Sequence, residues 1–152
     1  MTKLWQRIIA IAEVGGGSLA LLAILLAVKA GAGKAAIVVG AGLDLFVVVA
    51  GVTLWLKPRV GRVLSEIAFG LQAVQVFSAR FVWQYIAGVA LLVQVVDGEM
   101  SWRGGLLVRH SFSAEGGSSG GGVGVNLMAV AVLTLLVVSQ GRKKSLRRRG
   151  SA

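Results

Sequence analysis

Four stretches of this chain are apolar enough to predict membrane helices, at about 5–28, 35–56, 60–79 and 123–140. Each is close to the roughly 20 helical residues that span ~30 Å of hydrocarbon. The first, second and fourth are nearly continuous. The third runs into "FSARFVWQYIAGVALLVQVVDGEMSWRGGLLVRHSFSA", residues 77 to 114, which is as apolar as a span yet carries Arg80, two glutamines and Asp97-Gly98.

Two readings of this segment compete. One continues a helix from Glu66 to Val96, about 45 Å long at 1.5 Å per residue. That helix holds Arg80 near mid-membrane, where a charge is costly. The other ends the helix near Ala79 and leaves Arg80 at the outer interface, free to extend its head group toward water.

Periodicity favours the second reading. From Ser101 to Ser113 polar and apolar residues alternate, a period of two that signals a strand. Asp97-Gly98 suits a two-residue type I′ hairpin turn, because both residues tolerate positive φ. If that turn forms, facing residue numbers sum to 195. Trp83 then faces Phe112, Tyr85 faces His110, Ala87 faces Val108, Val89 faces Leu106 and Val93 faces Trp102. On the other side Gln84 meets Ser111, Ile86 meets Arg109, Leu92 meets Arg103 and Gln94 meets Ser101. The first face is apolar and the second collects most polar groups, so a hairpin over about 81–114 is expected.

Composition agrees with lipid. Of 152 residues 56% are hydrophobic and 14% charged, and mean hydropathy is +0.82, outside the usual range of soluble domains. The net charge of +10 raises nucleic acid as a partner, but the basic residues cluster beside apolar runs. Lys and Arg near span ends stay cytoplasmic. An inside N-terminus puts Lys3, Arg7, Lys57, Arg59, Arg62 and the 141–152 tail on that side, leaving Lys29, Lys34, Arg80, Arg103 and Arg109 outside. Within the tail, Arg142, Lys143, Lys144, Arg147, Arg148 and Arg149 are the expected anchor on anionic lipid headgroups. Residues 115–122 read as a Gly/Ser linker.

Candidate chemistry is sparse. There is no cysteine and one histidine, His110, so thiolate and His-rich metal sites are excluded. His110 alone reads as structural. Ser, His and acid residues are too scattered for a nucleophilic triad, and "GKAAIVVGAGLD" meets no phosphate-loop fingerprint. Ionisable groups inside spans are functional candidates. Glu13, Arg62, Glu66 and Arg80 read as interfacial charges, with Arg62 and Glu66 an i,i+4 pair. Asp44 lies at mid-span without a basic neighbour, and Gln72 and Gln75 reach a comparable depth. These three form either an interhelical polar clasp or a proton or cation path. Small residues at Ala12, Gly16 and Ala20, and at Ala32, Ala36 and Gly40, suggest close helix packing.

Gln72-Ala73-Val74-Gln75, the aromatic and glycine segment after it, and Gly124-Val125-Asn126-Leu127-Met128-Ala129 together look like small uncharacterised four-helix bacterial membrane proteins. The resemblance covers about the second half of the chain and implies a layout, with no activity attached.

The expectation is an all-α transmembrane four-helix bundle with an extracytoplasmic β-hairpin between helices 3 and 4, a single membrane domain over 1–152. It belongs in a bacterial inner membrane with both termini cytoplasmic. The expected role is non-enzymatic and structural, accessory or assembly-related, in a homo-oligomer or with a membrane-protein partner and without cofactor, metal or nucleic acid. The alternative is a small oligomeric transporter or channel using Asp44, Gln72 and Gln75.

Overall fold

The computed structural model describes residues 2–29, 33–78, 80–113 and 121–149, with side chains of the last segment described as far as Ser139. The elements are α1 (Lys3–Lys29), α2 (Lys34–Leu56), α3 (Pro58–Ala73), β1 (Val74–Phe77), β2 (Val82–Val96), β3 (Glu99–Ser113), β4 (Gly122–Asn126) and α4 (Leu127–Arg149). The fold is therefore mixed: four helices with a four-stranded antiparallel sheet. It is not the expected all-α bundle with an added hairpin.

Among the described residues, only α1 and α2 are long and apolar enough to cross a membrane. The expected third and fourth spans are each divided between helix and strand. The run at 60–79 is helical to Ala73 and becomes β1, where Val74, Val76 and the aromatic Phe77 suit a pleated backbone. The run at 123–140 opens as β4, and its helix starts only at Leu127. Asn126 sets that start: its Oδ1 accepts from the backbone N–H of Ala129 at 3.4 Å, an N-cap bond, and from Leu91 N–H at 3.3 Å. The apolar part of α4, Leu127–Ser139, is too short to span.

Helices α1 and α2 form an antiparallel pair. Gly17 of α1 meets Asp44 and Val48 of α2, Gly51 meets Ala10 and Glu13, and Gly40 meets Ile24. Of the expected small-residue stripes, Gly40 and Ala20 are buried, whereas Ala12 and Ala36 are exposed; Ala32 lies outside the described residues. Pro58 opens α3 at its first turn, where its missing N–H costs nothing. Gly61 then lies directly on the Leu54 backbone. From there α3 climbs past Glu13, through Ser65, to Gln72, which bonds to Ala87. Ala87 sits on Gly16, near the middle of α1. α3 thus covers half the height of the α1–α2 pair. α4 covers the same half, since its Leu136 shares an apolar core with Ile9, Ala10, Leu54 and Phe69. The strands occupy the remaining half.

The sheet order is β1-β4-β2-β3, with a further β1–β2 pairing. The hairpin register is the one that Asp97-Gly98 dictates: Val82 faces Ser113, Tyr85 faces His110, and Val96 faces Glu99. Asp97 and Gly98 hold φ of 56° and 81°, as a type I′ turn requires. β2 pairs with β1 at its start (Val76 with Trp83) and with β4 at its end (Leu92 with Asn126, Val96 with Gly122). The sheet consequently curls. It bends at Gly88 and Gly105, whose φ of 112° and 136° are open to glycine and rare for other residues.

The bend also corrects the expected division of faces. Before it, Trp83, Tyr85, Ala87, Val108 and Phe112 do pack against the helices. Beyond it the same face is bare, with Trp102 73%, Leu106 61% and Val89 60% exposed. The opposite face, expected to be polar, encloses a second apolar core of Ile86, Ala90, Leu92 and Leu107 inside the curl.

Candidate functional site

The chemistry-bearing side chains meet where the sheet joins the helices. Asp44, near the middle of α2, is fully buried. Its Oδ1 accepts from the Tyr85 hydroxyl at 3.1 Å, and His110 Nε2 lies 3.0 Å from the same oxygen, donating when it carries the proton. Tyr85 and His110 face each other across the β2–β3 ladder, so one turn and one register deliver both groups to one acid. Their rings lie 5.5 Å apart, and Phe112 continues the stack at 6.3 Å from His110. Trp83 and Phe112 add a tilted pair at 5.1 Å, within the range at which aromatic rings attract.

Asp44 Oδ2 is buried and has no hydrogen-bond partner among the described residues. The Asp44–His110 pair resembles the orienting half of a hydrolytic triad. The hydroxyl at this site, however, is the Tyr85 phenol, and it is bonded to the acid instead of being poised on the histidine. The geometry is that of a brace: α2 on one side, two adjacent strands on the other, and two hydrogen bonds on one carboxyl oxygen between them.

Asp44, Gln72 and Gln75 do not form one cluster. Gln72 Oε1 accepts from the Ala87 N–H at 3.1 Å, fastening the end of α3 to β2. Gln75 Oε1 accepts from Gln84 Nε2 at 2.8 Å inside the curled sheet. There Gln75 Nε2 and Gln94 Oε1 are both buried without a partner among the described residues. Both side chains crowd Gly124, where an added Cβ would lie 3.3 Å from Gln75 Oε1 and from Gln94 Cβ.

Glu13 was expected at an accessible interface. It is instead only 2% exposed, and its Oε2 accepts from the buried Ser65 hydroxyl at 2.8 Å. Arg62 is partly buried, one turn from Glu66 on α3. Arg80 is exposed in the turn between β1 and β2, which Ser78 closes by bonding to Phe81 in both directions. The side chains of Arg142, Lys143, Lys144, Arg147, Arg148 and Arg149 lie outside the described residues, as does most of the 115–122 linker. Among the described residues no group of three or more His, Asp or Glu side chains comes together to hold a metal.

Tyr85, Ser65 and Asn126 are the site residues that sequence reasoning did not single out. The Tyr85–His110 pairing was readable from the turn. Its attachment to Asp44 was not, because those contacts close over 41 and 66 residues. No family model, curated protein or solved structure matches the chain.

Proposed function

We propose that this chain is a non-enzymatic integral membrane protein with a structural role, which assembles with further copies of itself through the outer edge of β3. The reading rests on one observation: β3 is long, ends the sheet, and is joined through His110 to the middle of an apolar helix. No described strand pairs with its far side. At hydrocarbon depth an open sheet edge leaves N–H and C=O groups without water, at several kcal/mol each, so such edges do not face lipid. A second copy brings a strand of the same length at the same depth.

Further support comes from the apolar surface beyond the bend. Val74, Val125, Val93 and Trp102 lie side by side across four strands, and Val123, Val95 and Met100 follow in the next row. Most of these are exposed. The basic end of the molecule, with Lys3, Arg7, Lys57 and Arg59, is also the end toward which α4 runs, which agrees with cytoplasmic termini.

Because the sequence has no cysteine, single introduced thiols report contacts cleanly. Trp102→Cys and Leu106→Cys should give cross-linked dimers in native membranes, while Val38→Cys, exposed on α2, should not. A monomer in mild detergent that forms no cross-link from either β3 position would overturn the reading. A stoichiometric second protein at those positions would replace self-association with a foreign partner.

A further inference from the structure

Between α1 and α2 runs an apolar groove of about 470 Å³, lined on α1 by Ala10, Ile11 and Val14 and on α2 by Val52, Trp55 and Leu56. Gly15 makes the hollow. It also lines the groove, and a Cβ placed on it meets nothing within 4 Å. Volumes of ~300–1,000 Å³ hold single small ligands.

The mouth of the groove is cationic. The Arg7 guanidinium lies over the Trp55 ring, 5.4 Å from its centre. Stacking of this kind uses the flat face of the guanidinium and leaves its N–H fork directed outward, in the geometry that meets phosphate. Lys3, one turn before Arg7, and Lys57, just past the end of α2, are both exposed. The nearest acid along α1, Glu13, is turned inward to Ser65. Trp55 stands where aromatic residues mark the boundary between headgroups and acyl chains.

We propose that this groove binds one anionic phospholipid, its acyl chain along Gly15 and Val52 and its phosphate on Arg7. The inference rests on α1 and α2 lying in a bilayer. It is independent of self-association, because the groove and β3 involve different residues. An apolar slot ending in clustered cations complements a molecule with one hydrocarbon tail inward and one negative charge at the interface. Free phosphate would use Arg7 but has no use for the slot.

The test is lipid retention by the full chain, purified in mild detergent and then offered phosphatidylglycerol or phosphatidylcholine of identical chains, read by native mass spectrometry. The wild type should retain one phosphatidylglycerol in preference to phosphatidylcholine, and millimolar inorganic phosphate should not displace it. Gly15→Leu fills the slot and should cut retention of both lipids about tenfold. Arg7→Gln should lower phosphatidylglycerol retention far more than that of phosphatidylcholine, whose choline offsets the charge of its own phosphate, and so abolish the preference. Val52→Phe blocks the groove from the opposite wall and gives the same readout should Gly15→Leu fail to fold. Unchanged phosphatidylglycerol retention in the slot variants, a preference surviving Arg7→Gln, or displacement by phosphate would each overturn the proposal. Failure of the chain to cosediment with membranes would instead remove the premise.

Discussion

A single carboxyl oxygen takes two side-chain hydrogen bonds that join the sheet to α2. A typical hydrogen bond contributes about 0.5–1.5 kcal/mol, and leaving a buried polar group without its partner costs about 1–3 kcal/mol. Tyr85→Phe should therefore destabilise the protein by about 1–3 kcal/mol in a reversible detergent-unfolding assay. Its effect should not add to that of His110→Gln, since both side chains meet Asp44 Oδ1. Asp44→Asn keeps an acceptor in place and removes the ionisable group. Under the structural reading, liposomes carrying this variant should show the same proton leak as the wild type; a loss of flux on substitution would assign Asp44 to transport instead. Asp44 itself was conspicuous in the sequence as an acid amid "GAGLDLFVVVAGV". Its partners were hidden because an interior contact carries no local signal when the two segments are far apart along the chain.

Among the elements, the hairpin was legible and the short strands were not. Asp97-Gly98 fixes a turn type, the turn fixes a register, and alternation on β3 makes that register self-consistent. β1 and β4 have only four and five residues and pair with partners distant in sequence. Val74–Phe77 read as more helix, Gly122 as the end of a linker, and residues 123–126 as the start of the last helix. The bend was equally silent: Gly88 and Gly105 permit it, but nothing local said which face would turn inward. Gly88 now carries two demands, a positive φ and close contact with Gly16, where an added Cβ would lie 2.7 Å from the Ala87 oxygen. Gly88→Ala should cost about 1–3 kcal/mol through the backbone alone. Gly42→Ala is the matched control. It sits in α2 with nothing within 4 Å of its Cβ position, and should be neutral or stabilising by up to ~1 kcal/mol.

For the whole molecule, hydropathy marked four runs as spans, and among the described residues two helices, α1 and α2, are long and apolar enough to cross a membrane. A window of apolar residues does not distinguish a helix that spans from a half-height helix continued by a strand. α3 and α4 are of the second kind, rising beside Leu54 and Glu13 and handing over to the sheet near Gly16. If the basic end is cytoplasmic, as proposed, the Asp97-Gly98 turn belongs to the opposite half. In intact spheroplasts a membrane-impermeant thiol reagent should modify Asp97→Cys, and should reach Arg59→Cys only after lysis. The reverse pattern would invert the orientation.

On the proposed membrane reading, the hand-over from helix to strand also fixes an order of biogenesis. A translocon can release α1 and α2 one after the other, because each satisfies its own backbone. The segment after Pro58 has no such freedom: its strands cannot be left in lipid unpaired, and although the end of β1 meets β2, Val74 and Gln75 pair only with β4, about fifty residues later in synthesis. The C-terminal half therefore enters as one cooperative unit, onto a helical pair already in place.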